Sequence, residues 1–350
     1  MSVENKYTLS HCVLELTNGC NLRCPHCASD SGRRRDDELT RDEIRKVLSE
    51  LYELGCRTMS MLGGEMLLRS DWFEICQDAR TAGMELQLIT NGLLVDESVR
   101  RKFLSLEPQT VCVSLDGATP ETYRSQRGVD GYAKCMELLW QLKDDGHRQV
   151  NAITTFSSLN IHEFDEFARL FLDSGIVWQV QLVHKAGHRF DERLLLSQEQ
   201  FAFFADKVTF YMNEYNGRLM LRYMDDFGYF AINPQLRFTH QVWSGCNAGI
   251  RVIGIRSNGD VLGCLSLGDE FIEANLREVP LREIWNGETF FTRFRRKEEA
   301  LSGRCATCAY GHRCKAGCTA MALSGSGKMG DNPYCVRRLE EQRIIADIFS

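Results

Sequence analysis

The chain has 350 residues, a formal net charge of −6 and fifteen cysteines. This length is enough for a proper hydrophobic core, so the cysteines are not needed as a disulfide scaffold. The chain opens with polar residues instead of a signal peptide, has no run of about eighteen apolar residues, and shows no basic stripe that would suit nucleic acid. We therefore expect a cytoplasmic protein without a membrane or nucleic-acid partner, in which many of the cysteines are metal ligands.

The first predicted strand, Cys12 to Leu16, ends shortly before three closely spaced cysteines. Cys20, Cys24 and Cys27 are therefore expected on a loop that leaves a strand. Thiolates select iron–sulfur clusters, zinc or copper(I), and a cubane cluster takes four thiolates, one for each iron. Three cysteines would leave one iron open, which suits an enzyme that binds a substrate or cofactor there. A zinc site closed by His26 is the alternative.

The spacing CxxxCxxC, with His26 before the last cysteine, resembles the signature of the radical S-adenosylmethionine (SAM) enzymes. In that family SAM chelates the open iron of a [4Fe-4S] cluster, and an electron from the cluster splits SAM to give a 5′-deoxyadenosyl radical. The radical then abstracts a hydrogen atom from the substrate. The resemblance implies that Cys20, Cys24 and Cys27 bind this cluster and that His26 lies on the cofactor side.

The second predicted strand, Arg57 to Leu62, ends in Gly63-Gly64-Glu65-Met66. Glycines let the backbone approach a ligand closely, and the Glu65 carboxylate can accept hydrogen bonds. The segment resembles the family's GGEP motif, with methionine in place of proline. The resemblance implies that Gly63, Gly64 and Glu65 hold the SAM amino group.

The third and fourth predicted strands, Met84 to Ile89 and Gln109 to Leu115, also end in small polar residues. In α/β barrels ligands bind at the carboxyl ends of the strands, because the strand-to-helix loops converge there. The stretch from Ser114 to Gly128 resembles the family's SLDG...RG segment and implies Arg127 as a partner of the SAM carboxylate. The alternative is that Asp116 caps a helix and Arg127 is solvated. The candidate SAM contacts in this part of the chain are Thr90, Asn91, Ser114, Asp116 and Arg127.

Strands and helices continue to alternate along the chain. The pattern predicts helix Gly131 to Lys143, strand Gln149 to Thr155, helix His162 to Asp173, strand Val177 to His184 and helix Gln198 to Glu214. Six strands, each followed by a helix, predict an α/β fold, a partial (β/α)6 TIM-like barrel, over residues 1–215. A bridging segment is expected over residues 216–245. His184 and Lys185 are candidates for a substrate channel, or they are ordinary loop residues.

Seven further cysteines form one spaced array in the last third of the chain: Cys246, Cys264, Cys305, Cys308, Cys314, Cys318 and Cys335. The spacing resembles the SPASM extension of radical SAM enzymes that modify peptides and proteins. The resemblance implies a small cysteine-rich iron–sulfur SPASM domain over residues 246–350 with two auxiliary clusters. Within it, the segment from Ser257 to Asp260 is predicted to be a hairpin turn, because Asn-Gly supplies the positive φ that such turns need.

The resemblance also divides these cysteines between the two clusters. It implies that the first cluster is bound by Cys246, Cys264 and Cys318, and the second by Cys305, Cys308, Cys314 and Cys335. The first set is one ligand short, and we favour an open iron or a smaller cluster there over ligation by His240. Sulfatase-maturing relatives carry an aspartate where this chain has Leu265, so formylglycine formation is not expected.

Together these resemblances predict an enzyme that abstracts hydrogen from a ribosomally made peptide to form a crosslink, a thioether or an inverted stereocentre. A small molecule or sugar is the alternative substrate. A non-catalytic iron–sulfur electron carrier or zinc-binding protein is the alternative from another class. The expected partners are the peptide, a leader-binding protein where recognition is separate, and a flavodoxin- or ferredoxin-type electron donor.

Overall fold

The structure, a computed structural model, describes residues 7–224, 230–235 and 245–349. Its strands are β1 (His11–Glu15), β2 (Thr58–Leu62), β3 (Glu85–Thr90), β4 (Thr110–Ser114), β5 (Val150–Phe156), β6 (Val177–Leu182), β7 (Leu221–Tyr223), β8 (Val252–Ile255), β9 (Asp260–Leu262) and β10 (Ile272–Asn275). In the described residues these form one ten-stranded sheet in the order β10-β9-β8-β1-β2-β3-β4-β5-β6-β7.

The helices of the barrel portion are α1 (Arg41–Glu53), α2 (Trp72–Thr81), α3 (Glu97–Ser105), α4 (Pro120–Arg127), α5 (Tyr132–Asp144), α6 (Phe164–Phe171) and α7 (Gln198–Glu214). The later helices are α8 (Leu281–Asn286), α9 (Thr292–Arg295), α10 (Gly303–Ala306), α11 (Gly311–Cys314), α12 (Thr319–Ser326) and α13 (Val336–Phe349). Short 3-10 helices are Met66–Leu68, Ile161–Glu163, Glu192–Leu194, Asp269–Phe271 and Lys297–Ala300. No helix among the described residues combines the length and apolar character needed to cross a bilayer.

Strands β1 to β7 are parallel neighbours, joined by helices that cover one face of the sheet. The six predicted strands are confirmed, with ends that differ from the predicted ones by at most two residues. Local sequence also sets the helix starts: α1 begins after Thr40, whose hydroxyl accepts from the Glu43 backbone N–H in a capping box. The short β7 lies in the predicted bridging segment and was not predicted, because three residues carry no readable alternation.

The face of the sheet under the helices is apolar and aromatic. Trp178 of β6 packs edge to face against Phe164 of α6, with ring centroids 4.9 Å apart, and stacks with Phe167 at 5.7 Å. All three rings are fully buried. Burial of each such side chain contributes about 1.5–3 kcal/mol, so this aromatic layer fixes the helices on the outside of the barrel.

The opposite, concave face of the sheet, which we call the lumen, is polar. Ser60 donates a hydrogen bond to Gln87, from Oγ to Oε1, at 3.1 Å. Asn151 donates to Gln179 at 3.2 Å. Arg222 of β7 lies opposite Gln179 in the parallel register and is exposed. The lumen therefore offers amide, hydroxyl and guanidinium groups to whatever enters the barrel.

The cysteine-rich region shares the sheet of the barrel. Strand β8 pairs parallel to β1, from His11 opposite Val252 to Leu14 opposite Ile255. Strands β8 and β9 form the predicted hairpin, with Gly259 at φ 92° in its turn. The buried Glu15 carboxylate accepts hydrogen bonds from the Ser257 amide at 3.1 Å and hydroxyl at 2.8 Å. The sheet thus crosses the boundary at which we had predicted a second domain.

Candidate active site

The loop after β1 carries the first three cysteines and is fixed by backbone hydrogen bonds. Cys20 N–H donates to the Gly32 carbonyl at 3.1 Å, and Gly32 N–H donates to the Asn18 carbonyl at 2.9 Å. The loop after β2 adds two more bonds, from Gly64 to the Thr17 carbonyl at 2.7 Å and from Glu65 to the Gly19 carbonyl at 2.8 Å. Cys20, Cys24 and Cys27 are thus held on a preformed loop at the carboxyl edge of the sheet.

Gly63 and Gly64 are required by the contact between these two loops. A Cβ on Gly63 would lie 2.6 Å from the Thr17 carbonyl oxygen, and a Cβ on Gly64 would lie 2.7 Å from the Cys20 Cβ. Real side chains do not approach so closely, so only glycine lets the loops meet. The close approach that we predicted toward a ligand is therefore made, within the chain, toward the cysteine loop.

Glu65 is brought together with Thr90 and Asn91, as the strand-end positions predict. Its buried carboxylate accepts from the Thr90 hydroxyl at 3.0 Å and from the Asn91 amide N–H at 2.8 Å. Burial raises the pKa of Glu65 to about 7, while the bonds from Asn91 and Thr90 oppose the rise. The Asn91 side chain also donates to the Asn21 Oδ1 at 2.8 Å, which ties β3 to the cysteine loop.

Asp116, His26 and Arg127 form a buried cluster beside Cys24. Asp116 Oδ2 lies 2.6 Å from Arg127 Nη2 and 3.1 Å from His26 Nε2. Burial alone would raise the pKa of Asp116, but the adjacent Arg127 and His26 hold it below its ordinary value. Arg127 Nη1 also lies 3.9 Å from the Cys24 Sγ. The solvated alternative for Arg127 is wrong, since its side chain is 12% exposed.

The alternative role of Asp116 as a helix cap is also wrong, because Thr119 caps α4 by accepting from the Thr122 N–H. The expected contact between Arg127 and the SAM carboxylate stays a prediction, and its guanidinium is already paired with Asp116. Ser114 lies half-buried at the end of β4. Its contact with SAM stays a prediction too.

The loop after β6 closes over the cysteine loop through Asp30. The Asp30 carboxylate accepts from the backbone N–H groups of His188 and Arg189, and the Arg189 guanidinium donates to the Ser31 carbonyl at 2.6 Å. His184 lies just before this clamp, and its Nε2 is inaccessible and has no hydrogen-bond partner in the described part of the chain. Lys185 is exposed and pairs with Glu192, so the structure does not bring its ammonium to the site.

The seven later cysteines are half-buried and occupy short helices and turns. Burial raises the pKa of Cys314 to about 12 and of Cys335 to about 11, and neighbouring cysteines of their set add to both shifts. Thiols of this kind are neutral until a metal displaces the proton. Cys305 and Cys308 are electrostatically coupled to Cys335. The four-cysteine set of Cys305, Cys308, Cys314 and Cys335 stays a prediction.

Cys264 follows β9, and Cys246 and Cys318 act electrostatically on the same buried lysine, Lys297. His240, the alternative fourth ligand for this set, lies outside the described residues. Across residues 7–224, 230–235 and 245–349, no three cysteine, histidine, aspartate or glutamate side chains converge closely enough to hold a single metal ion. A cubane cluster binds each thiolate to a different iron, so its ligands lie further apart than those of one zinc ion.

Sequence reasoning missed Asn21, Asp30, Arg189 and Lys297. The first three act through contacts between distant loops, for which a single sequence carries no signal. Lys297 stands in the charged run Arg295-Arg296-Lys297-Glu298-Glu299, which is typical of a solvated surface. Only its burial, with 1% of its surface exposed, sets it apart.

A partial α/β barrel with three thiols at its carboxyl edge, followed by seven more thiols, defines an iron–sulfur enzyme of the radical SAM type. The sequence profile of the radical SAM superfamily matches residues 14–171, and that of the SPASM iron–sulfur cluster-binding domain matches residues 246–309. The AdoMet-dependent heme synthase of Methanosarcina barkeri is 32% identical over 343 residues, which cover 93% of this chain and 95% of the relative. The chain therefore belongs to the radical SAM superfamily and carries a SPASM domain.

Other relatives are named for different activities. The mycofactocin maturase MftC of Mycolicibacterium smegmatis is 26% identical, and the match covers 94% of this chain and 84% of the relative. The PqqA peptide cyclase of Rhizobium meliloti is 26% identical, with 96% of this chain and 89% of the relative covered. Streptococcus suis SuiB bound to its precursor peptide SuiA has the same fold, with a TM-score of 0.74 at 15% identity over 93% of this chain and 75% of that one.

Proposed function

We propose that the enzyme uses SAM to abstract hydrogen from a ribosomally made peptide and so forms a crosslink, a thioether or an inverted stereocentre. The polar lumen is the observation that carries this proposal. A peptide backbone presents one donor and one acceptor per residue, and these need partners once water is excluded. In the Ser60–Gln87 and Asn151–Gln179 pairs, the half-buried Gln87 and Gln179 amides would offer such partners. PqqA peptide cyclase, whose name denotes a peptide, supports the same class.

Cys20, Cys24 and Cys27 would bind a [4Fe-4S] cluster and leave one iron for SAM. When bound, the cluster and SAM supply the 5′-deoxyadenosyl radical that removes the hydrogen atom. Two observations support the fit: the cysteine loop is fixed by the protein itself, and His26 Nδ1 is buried without a hydrogen-bond partner among the described residues. His26 would use this nitrogen on the cofactor side.

The side chains around the loop would orient SAM and exclude water. Glu65, already fixed by Thr90 and Asn91, would accept a hydrogen bond from the SAM amino group. An ammonium beside Glu65 would favour its ionised form and offset the effect of burial on its pKa. Asp116 and Arg127 would close the site as a neutral pair beside Cys24.

The later cysteines would bind two auxiliary clusters, divided as the spacing implies. The four-cysteine set would hold a complete cluster, whereas Cys246, Cys264 and Cys318 would leave an open iron or hold a smaller cluster. A flavodoxin- or ferredoxin-type protein would supply electrons. Leader recognition would come from a separate protein if the substrate needs it.

A heme-type small molecule is the second candidate substrate. The relative with 32% identity is a heme synthase, and this is the observation that favours it. Heme carries carboxylate groups, and the exposed Arg222 faces the lumen opposite Gln179. Its guanidinium would bind such a carboxylate.

The two candidates are separated by one anaerobic experiment on the reconstituted enzyme. The peptide encoded beside the gene is incubated with SAM and reductant, in water and in deuterated water, and its mass is measured. Loss of two hydrogens indicates a crosslink, a thioether or a desaturation, and a gain of one deuterium in heavy water indicates epimerisation. The control is the enzyme with Cys24→Ala. An unchanged peptide, with 5′-deoxyadenosine still formed, would contradict the peptide and favour the small molecule.

A further inference from the structure

Lys297 is a buried lysine among the C-terminal cysteines. It is 1% exposed, and its Nζ donates a hydrogen bond to the Gly317 carbonyl at 2.9 Å. Within residues 7–224, 230–235 and 245–349 no carboxylate pairs with it, since the adjacent Glu298 pairs with Lys315 at 2.9 Å. A buried charge without a counter-charge costs several kcal/mol. The charge of Lys297 therefore needs compensation from another source.

The surrounding anions come from both cysteine sets. Cys246 and Cys318 of the first set act electrostatically on Lys297, as do Cys314 and Cys305 of the second. These cysteines become anionic thiolates when they bind iron. The ammonium binds the carbonyl of Gly317, which adjoins Cys318 and follows Cys314 by three residues, so it lies beside the segment that supplies a ligand to each set.

The carbonyl that Lys297 binds belongs to the turn that connects the two sets. Residues 314–318 supply Cys314 to the second set and Cys318 to the first. Lys315, Ala316 and Gly317 within this turn have φ values of 51°, 56° and 61°. Left-handed backbone costs a residue other than glycine about 1–2 kcal/mol, so the turn needs support from outside. The hydrogen bond from Lys297 to Gly317 provides it.

We propose that Lys297 is a positioning residue for the auxiliary clusters, whose ammonium raises the reduction potential of the cluster at Cys246, Cys264 and Cys318. Adding an electron to a cluster adds negative charge, and a nearby buried cation stabilises the reduced form. The proposal rests on the two-cluster assignment of the proposed function. It assigns to Lys297 an electrostatic effect on the cluster in addition to its bond to the turn.

The test uses the full chain with Cys20→Ala, Cys24→Ala and Cys27→Ala, so that only the auxiliary clusters are observed. After anaerobic reconstitution, the midpoint potentials of the Lys297→Met, Lys297→Gln and Lys297→Arg variants are measured by redox titration monitored by electron paramagnetic resonance. The Lys297→Met and Lys297→Gln variants should have a midpoint potential at least about 59 mV lower than the parent. For a one-electron couple, this shift lowers the ratio of reduced to oxidised cluster at a fixed potential about tenfold. In the Lys297→Arg variant, the ratio of reduced to oxidised cluster should stay within about threefold of the parent ratio.

Lys315→Met is the matched control, because Lys315 lies in the same turn but is paired with Glu298 and partly exposed. It should change the ratio by less than about threefold. Parent-like potentials in both Lys297→Met and Lys297→Gln, with normal iron content, would overturn the proposal. Equal loss of iron in Lys297→Arg and Lys297→Met would overturn it too, since the role would then be packing. Iron for a single auxiliary cluster in the parent would instead overturn the cluster assignment of the proposed function.

Discussion

In the barrel, Cys20, Cys24 and Cys27 lie on one loop, and hydrogen bonds from the ends of neighbouring strands fix this loop. The later cysteines lie on short helices and turns. The first loop receives support from the loops after β2 and β6. In the second region α10 and α11 have four residues each, a length at which an isolated helix is not stable. The barrel loop is therefore fixed by the chain itself, whereas we expect the C-terminal region to depend more on bound iron–sulfur clusters for its order.

Removal of iron gives the largest expected effect. With the clusters chelated anaerobically, backbone amides of residues 303–335 should exchange hydrogen at least about a hundredfold faster, because metal binding contributes directly to folding. Amides of β2 to β6 should change by less than about threefold, because their hydrogen bonds do not involve the clusters. Hydrogen-exchange mass spectrometry measures both. Equally faster amide exchange in both regions would contradict the expectation that only the C-terminal region depends on its clusters.

The Gly64→Ala substitution tests the preformed loop. The new Cβ would meet the Cys20 Cβ at 2.7 Å, so we expect a loss of about 1–3 kcal/mol in the free energy of unfolding. Displacement of the cysteines should lower the rate of 5′-deoxyadenosine formation by about tenfold to a hundredfold.

Gly146→Ala is the control for this substitution. Gly146 has φ 82° and open space around it, so alanine there adds backbone strain of about 1–2 kcal/mol without a clash. It should leave 5′-deoxyadenosine formation unchanged. Equal activity of the Gly64→Ala enzyme and the parent would show that the loop is not rigid.

Arg295→Met tests how the C-terminal region is supported apart from the clusters. The buried Arg295 guanidinium donates to the carbonyl oxygens of Gly249 at 2.9 Å, Trp285 at 2.6 Å and Gly287 at 3.0 Å. Unsatisfied buried acceptors cost about 1–3 kcal/mol each, so the loss of a donor to three of them should lower the free energy of unfolding in denaturant by at least about 3 kcal/mol. The exposed Arg296→Met should cost less than about 0.5 kcal/mol. A similar loss in both variants would contradict this assignment.

Arg277→Ala should give the smallest effect, at a contact between the two regions. Arg277 binds Glu43 of α1 at 2.7 Å and lowers the pKa of Glu43 to about 2. Because solvent screens this pair, its contribution at pH 7 should be below about 1 kcal/mol. A carboxyl group whose pKa is lowered in the folded state stabilises the fold at pH values above its ordinary pKa of 4.5. This stabilisation is lost as the pH falls toward the pKa of the folded state. The difference between variant and parent should therefore narrow from pH 7 to pH 4, as measured by urea unfolding.

Local sequence predicted much of the barrel, because strand periodicity is a local property, whereas the division of the cysteines into ligand sets stays a prediction. The runs that became β2 to β6 and the turn at Gly259 are examples. The pairing of β1 with β8 and the ion pair of Asp116 with Arg127 were not predictable, since each depends on long-range packing. The burial of Lys297 was not predicted for a related reason. A run of charged residues predicts a solvent-exposed segment, and Lys297 is buried only because the folded cysteine-rich region packs around it.

The pairing of β1 with β8 has a consequence for how the chain is made. His11 and Val252 are partners across 241 positions of sequence, a high contact order that slows folding. While the chain is being synthesised, β1 remains an open sheet edge until the hairpin of β8 and β9 emerges. An open edge is a template for aggregation. A chain truncated before Val252 should therefore aggregate during expression, although it would contain every strand from β1 to β7.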